Sequence, residues 1–234
     1  MNTILINQEF APKIVDEYFS NTTKEILKNI IFKGYYEVDK IEKQSNTTIG
    51  KFLALDKLRN KNVIPEIKNL AIDYFLLQAC IHGMLPFEAN YQANSNNSGH
   101  NLRMTTTDGK GILTVNQVTK INNSSRDAVY RKNMEHDLVS ELNLWGNNLS
   151  TKDDSSVIKY YFELTHGHQS LQPKFVVLGM PNDEGGWIVK ENLGSPFVNY
   201  PDVKPEEIYT AMNELSAFNK SDFEEFLSDF GNIN

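Results

Sequence analysis

One run constrains the fold more than any other. Phe175-Val176-Val177-Leu178 is apolar at successive positions, so a strand built from it has two faces to bury and belongs inside a sheet, not at its edge. Upstream, Tyr160-Tyr161-Phe162-Glu163-Leu164-Thr165 reads as a second strand. Strands are predicted over 157–165 and 174–180, then a turn over 181–186 and a further strand over 187–190. Between the first two strands lies His166-Gly167-His168, the only His-x-His in the chain.

The N-terminal part reads as helix. Residues 9–33 carry Pro12 near a first turn and apolar residues at Ile14, Val15, Tyr18 and Phe19, then at Ile26, Leu27, Ile30 and Ile31. Asn21-Thr22-Thr23 is expected to divide this helix, with Thr22 or Thr23 capping the second piece. Gly34 is expected to close it, leaving 35–41 for a short strand, while 51–59 fits helix and strand equally. The clearest helix is 63–81: Pro65 and Glu66 lie at its start, His82 at its last turn and Gly83 at its stop. Its apolar residues cover most of the circumference, which implies burial on more than one side. Cys80 and His82 then serve packing and capping.

Residues 90–101 are polar and rich in turn formers, marking a loop between a helical part, 1–89, and a sheet with flanking helices, 90–234, unless the two form one continuous domain. Asp108-Gly109 should turn a hairpin between 102–107 and 112–121. A helix is predicted over 126–145 and two more over 206–218 and 221–230. The fold class is α+β: N-terminal helices packed on an antiparallel sheet of four or more strands, with C-terminal helices closing it.

Composition narrows the function. The 234 residues are 40% hydrophobic and 11% aromatic, enough for a real core. A single cysteine excludes an intramolecular disulfide and a Cys-based zinc cluster. With no signal-peptide pattern at the N-terminus, a cytoplasmic location is expected. The longest apolar stretch, 72–81, contains Asp73 and Gln78, too short and too polar for a membrane span. Charge is segregated along the chain: residues 1–70 carry 11 basic and 9 acidic side chains, 71–150 carry 6 and 7, and 151–234 carry 6 and 14. Phosphate repulsion argues against nucleic acid at that acidic third, whereas a basic protein groove suits it.

Chemistry has few places to sit. On a strand, His166 and His168 would point to one side, as two imidazoles sharing a divalent metal must. A third ligand is needed, and Glu163 falls on the opposite face, while Asp183 and Glu184 belong to a turn at the other end of the hairpin. The same residues also read as a simple turn with Gly167 as its flexible point. Glu163-Leu164-Thr165 lacks the lysine that a restriction-type nuclease strand would carry. No nucleophile elbow, dinucleotide loop or phosphate loop occurs, so no cofactor is expected. Arg126, Arg131 and Lys132 could contact a phosphate backbone, but Asp127, Glu135 and Asp137 are interleaved with them. The C-terminal segment offers an amphipathic stripe, Phe223, Phe226 and Phe230, flanked by Asp222, Glu224, Glu225 and Asp229. It can close a core or enter a partner's groove.

In its Asn-, Lys- and Ile-rich composition, and in Tyr-Tyr-Phe-x-Leu followed by Val-Val-Leu-Gly-Met-Pro and Trp187, the chain resembles accessory proteins of phages, prophages and plasmids of low-GC Gram-positive bacteria. The likeness covers residues 157–190. It implies an accessory role, such as binding and inhibiting a host defence system, and carries over no catalytic residue. The sequence reading is therefore a cytoplasmic protein that binds a partner with a basic surface. Its alternative is a metal-dependent hydrolase or nuclease centred on His166 and His168.

Overall fold

The computed structural model describes residues 10–43, 51–52, 63–93, 100–125, 160–167, 172–182, 184–194 and 213. Among them run three helices, α1 (Ala11–Tyr18), α2 (Asn21–Lys43) and α3 (Val63–Ile81). The strands are β1 (Phe87–Ala93), β2 (His100–Thr106), β3 (Gly111–Val118), β4 (Tyr160–Gly167), β5 (Val176–Pro181) and β6 (Trp187–Asn192). They form one sheet in the order β1-β2-β3-β4-β5-β6. The class is α+β, with N-terminal helices preceding the sheet.

The sheet departs from the expected antiparallel pattern at its centre. Strands β3 and β4 are parallel, in register from Gly111 opposite Tyr160 to Val118 opposite Gly167, whereas every other neighbouring pair is antiparallel. Parallel neighbours need a long crossover, and residues 119–159 separate these two. Alternation along a strand fixes which face a side chain takes, but not the direction of its neighbour, so this pairing is invisible to periodicity.

Strand β5 sits between β4 and β6 with all six of its residues buried, as its two-faced apolar run requires. The helices cover the face that carries Leu113, Phe162, Leu164, Val176 and Leu178, all fully buried. Phe19, between α1 and α2, meets Phe162 edge to face at a centroid distance of 4.9 Å, an arrangement that suits the ring quadrupoles. Lys24 is buried yet reaches two carboxylates, Asp16 of α1 and Glu191 of β6, each at 2.7 Å. One cation thus ties two helices to the sheet edge.

The expected break in the first helix exists, but it falls earlier. Phe19 and Ser20 are non-helical, and Ser20 is the cap: its Oγ accepts the Thr23 N–H at 3.1 Å. Gly34 does not end α2, and 35–41 is helix, not strand. A Cβ on Gly34 would stand 2.6 Å from Ile72 Cγ1, so glycine is there to let α3 approach. Helix α3 has the predicted limits. The loop expected over 90–101 is narrower, because β1 continues to Ala93 and β2 begins at His100. In β1, Phe87 is buried and Ala89 and Tyr91 are half-buried, while Glu88, Asn90 and Gln92 are exposed. That alternation is strand-like but weakly apolar.

The β2–β3 hairpin turns at Asp108-Gly109 as expected, with Gly109 at φ 70°. The Asp108 carboxylate accepts from Thr106 Oγ1 at 2.6 Å and from Tyr18 Oη of α1 at 2.9 Å. Desolvation is the largest single influence and pushes its carboxyl up, but the Thr106, Lys110 backbone and Tyr18 hydrogen bonds and the Lys110 charge together hold it below the ordinary range. Among the described residues no helix is long and apolar enough to cross a membrane. The helices expected over 126–145, 206–218 and 221–230 lie outside the described residues, apart from Asn213, which is helical.

Candidate functional site

Alternation along β4 sends His166 to the helix-covered face and Glu163 to the opposite one, and each meets its own polar cluster. His166 is 1% exposed. Its Nδ1 lies 2.9 Å from the Tyr35 hydroxyl of α2, and that hydroxyl donates its proton to the Gly167 carbonyl. The oxygen must then accept from Nδ1–H, so Nδ1 carries a proton. Burial pushes the Tyr35 hydroxyl above its ordinary range, so it stays protonated and keeps donating. Lys68 of α3 places Nζ 4.7 Å from the centroid of the Tyr35 ring, a cation–π contact. Gln117, opposite His166 in the register of β3, donates from Nε2 to the Pro65 carbonyl at 3.1 Å. This cluster joins α2, the first turns of α3 and the C-terminal ends of the two parallel strands.

On the other face Glu163 is fully buried. Its Oε1 accepts from Asn116 Nδ2 at 2.7 Å and its Oε2 from the Ser125 N–H at 3.0 Å. Asn116 Nδ2 also reaches Thr114 Oγ1 at 3.2 Å, and that hydroxyl shares a 2.7 Å bond with Tyr161 Oη. A carboxylate held by several donors is stable where an isolated one would not be.

These positions bear directly on the proposed chemistry. His166 and Glu163 lie on opposite faces of β4, as alternation predicts, and cannot grip one ion. His166 and Gly167 belong to β4 itself and not to a turn, with the Gly167 N–H donating to Phe175 O at 3.3 Å. His168 and Asp183 lie outside the described residues. Glu184 is exposed in the β5–β6 turn. Among the described residues no three metal-ligating side chains come together. Burial raises the Cys80 thiol to about 12, so it is no nucleophile at neutral pH. The candidates Arg126, Arg131, Lys132, Asp222, Phe223, Glu224, Glu225, Phe226, Asp229 and Phe230 all lie outside the described residues.

Sequence reasoning missed Tyr35, which the helix-to-strand error placed on the wrong kind of element. It also missed the Glu163 cluster. The usable signal was Thr114 and Asn116 sharing a strand face with Ile112 and Val118. Comparisons of the chain with protein-family models, curated proteins and solved structures return no match.

Proposed function

We propose that the chain is a cytoplasmic binding protein, an accessory protein of the mobile-element type, that engages a basic surface on a host protein through its acidic C-terminal third. The observation that carries this reading is the charge segregation: residues 151–234 hold 14 acidic and 6 basic side chains. Such a field steers a basic partner and repels nucleic acid. Asp222, Glu224, Glu225 and Asp229, flanking the Phe223, Phe226 and Phe230 stripe, are the contacts proposed. Inhibition of a host defence machine follows by competition for its basic groove.

The test is affinity capture of the host partner by the full chain over a salt series, beside a variant with Asp222→Asn, Glu224→Gln, Glu225→Gln and Asp229→Asn. Capture should fall steeply between low and high salt as screening shortens the field, and the neutralised variant should lose it. Capture that ignores both salt and the four substitutions would remove the proposal.

A further inference from the structure

Helix α3 carries a second apolar row that the fold covers only in part. Ile72, Phe75, Leu76 and Ala79 are buried within the molecule, yet Leu70 and Ile81 are 63% and 59% exposed and Val63 is 45% exposed. Val63, Ile67, Leu70, Tyr74, Leu77 and Ile81 follow one another at alternating steps of four and three, the spacing of a coiled-coil seam. Leu77 is closed over, at 3% exposure, and Tyr74 packs partly buried against the core, so the open part of the seam spans Val63 to Leu70 and reappears at Ile81. An apolar row opposite a helix's own core face marks a surface made for contact.

The flank of this seam carries a charge signature. Glu66 and Asp73 stand one heptad apart on the same side, and neither is in an ion pair among the described residues. Among the described residues Asp73 accepts one hydrogen bond, from Tyr91 Oη at 3.2 Å. Desolvation raises its carboxyl to about 6 against the lowering effect of that bond, so a nearby cation would relieve it. Seam-flanking positions of this kind choose the partner through opposite charge. A second copy of α3 fits poorly: antiparallel pairing sets acid against acid, and parallel pairing sets the acids against Ala71 and Gln78.

We propose that the outward seam of α3 docks an amphipathic helix whose apolar row is flanked by Lys or Arg. The inference goes beyond the preceding reading: it names a different surface, the partner's shape and, from Glu66 and Asp73, the sign of its flanking charge.

The experiment uses the full chain and a synthetic heptad-repeat helix with a leucine seam and lysine flanks, beside the same helix with glutamate flanks, with binding followed by fluorescence anisotropy. The lysine helix should bind and the glutamate helix should not. Leu70→Glu should weaken binding by about tenfold or more, the effect of losing one anchor residue. Because Leu70 is exposed the variant should keep its circular dichroism, and because it adds an acid, attraction by charge alone would leave binding equal or stronger. Glu66→Lys should weaken the lysine helix and favour the glutamate one. No binding, binding indifferent to Leu70→Glu, or a self-association abolished by Leu70→Glu would each overturn the inference. If Leu70→Glu leaves capture of the host partner intact while neutralising the C-terminal acids abolishes it, this inference fails and the preceding reading stands.

Discussion

The two faces of the central sheet are built on opposite principles from the same strands. Towards the helices β3, β4 and β5 offer Leu113, Phe162, Leu164, Val176 and Leu178, and the contact is apolar packing. On the reverse β3 and β4 offer Thr114, Tyr161, Glu163 and Thr165, equally buried but polar and largely joined by hydrogen bonds, beside the apolar Ile112, Val118 and Val177. Apolar burial is non-directional and tolerates substitution by shape. A buried hydrogen-bond network is directional, and losing one member strands the rest. One face should therefore answer to volume and the other to chemistry.

The largest effect expected is on the apolar face. Phe162→Ala should cost about 3–5 kcal/mol in urea unfolding, since it removes the ring that meets Phe19 and Tyr18. Phe162→Leu should recover much of that loss. On the polar face Glu163→Ala should cost about 2–3 kcal/mol, because Asn116 Nδ2 and the Ser125 N–H lose their carboxylate. Glu163→Gln keeps the shape but should recover little, as its amide nitrogen turns a donor towards donors. A Glu163→Gln variant as stable as wild type would show that the two faces obey the same rule.

This difference also explains how much was legible in the sequence. The apolar face was readable because Phe175 to Leu178 and the helix stripes announce burial by composition, and α3 announced itself by Pro65, Glu66 and Gly83. The polar face was not, because Thr114 and Asn116 look like solvent-facing strand residues until a buried partner is known. Gly34 misled for a related reason. Glycine as a helix stop and glycine as a contact point look alike in sequence, and only Ile72, far along the chain, tells them apart. Glu163 was set on the face opposite His166, as β4 places it, but the partner of His166, Tyr35, belongs to the stretch misread as strand.

Asp73 is a polar group on the helix side, apart from the His166 cluster, and its behaviour should invert that of Glu163. Its folded carboxyl is raised from 3.8 to about 6, mainly by desolvation. A raised carboxyl means that its stabilising contribution is fully present below the unfolded value and is lost as pH rises through about 6. Asp73→Asn keeps an acceptor for Tyr91 and removes the buried charge. The variant should match wild type near pH 4 and be about 2 kcal/mol more stable at pH 7, read from paired unfolding curves across that range. An advantage that does not grow with pH would place the charge in a better-solvated or better-paired setting than its hydrogen bond suggests.

The smallest effect should come from the one hydroxyl the polar face leaves idle. Thr165 is fully buried on the Glu163 side of β4, and among the described residues its Oγ1 has no hydrogen-bond partner. An unmet buried hydroxyl costs desolvation free energy and returns nothing, while valine has nearly the same shape and suits a strand better. Thr165→Val should therefore be neutral or stabilise by up to about 1 kcal/mol, whereas the neighbouring Glu163 substitutions on the same face destabilise. A loss on Thr165→Val comparable to that of Glu163→Gln would mean that the hydroxyl is engaged. The hydrogen-bonded network would then take in Thr165 as well, leaving only apolar positions such as Ile112 and Val177 of that face governed by shape.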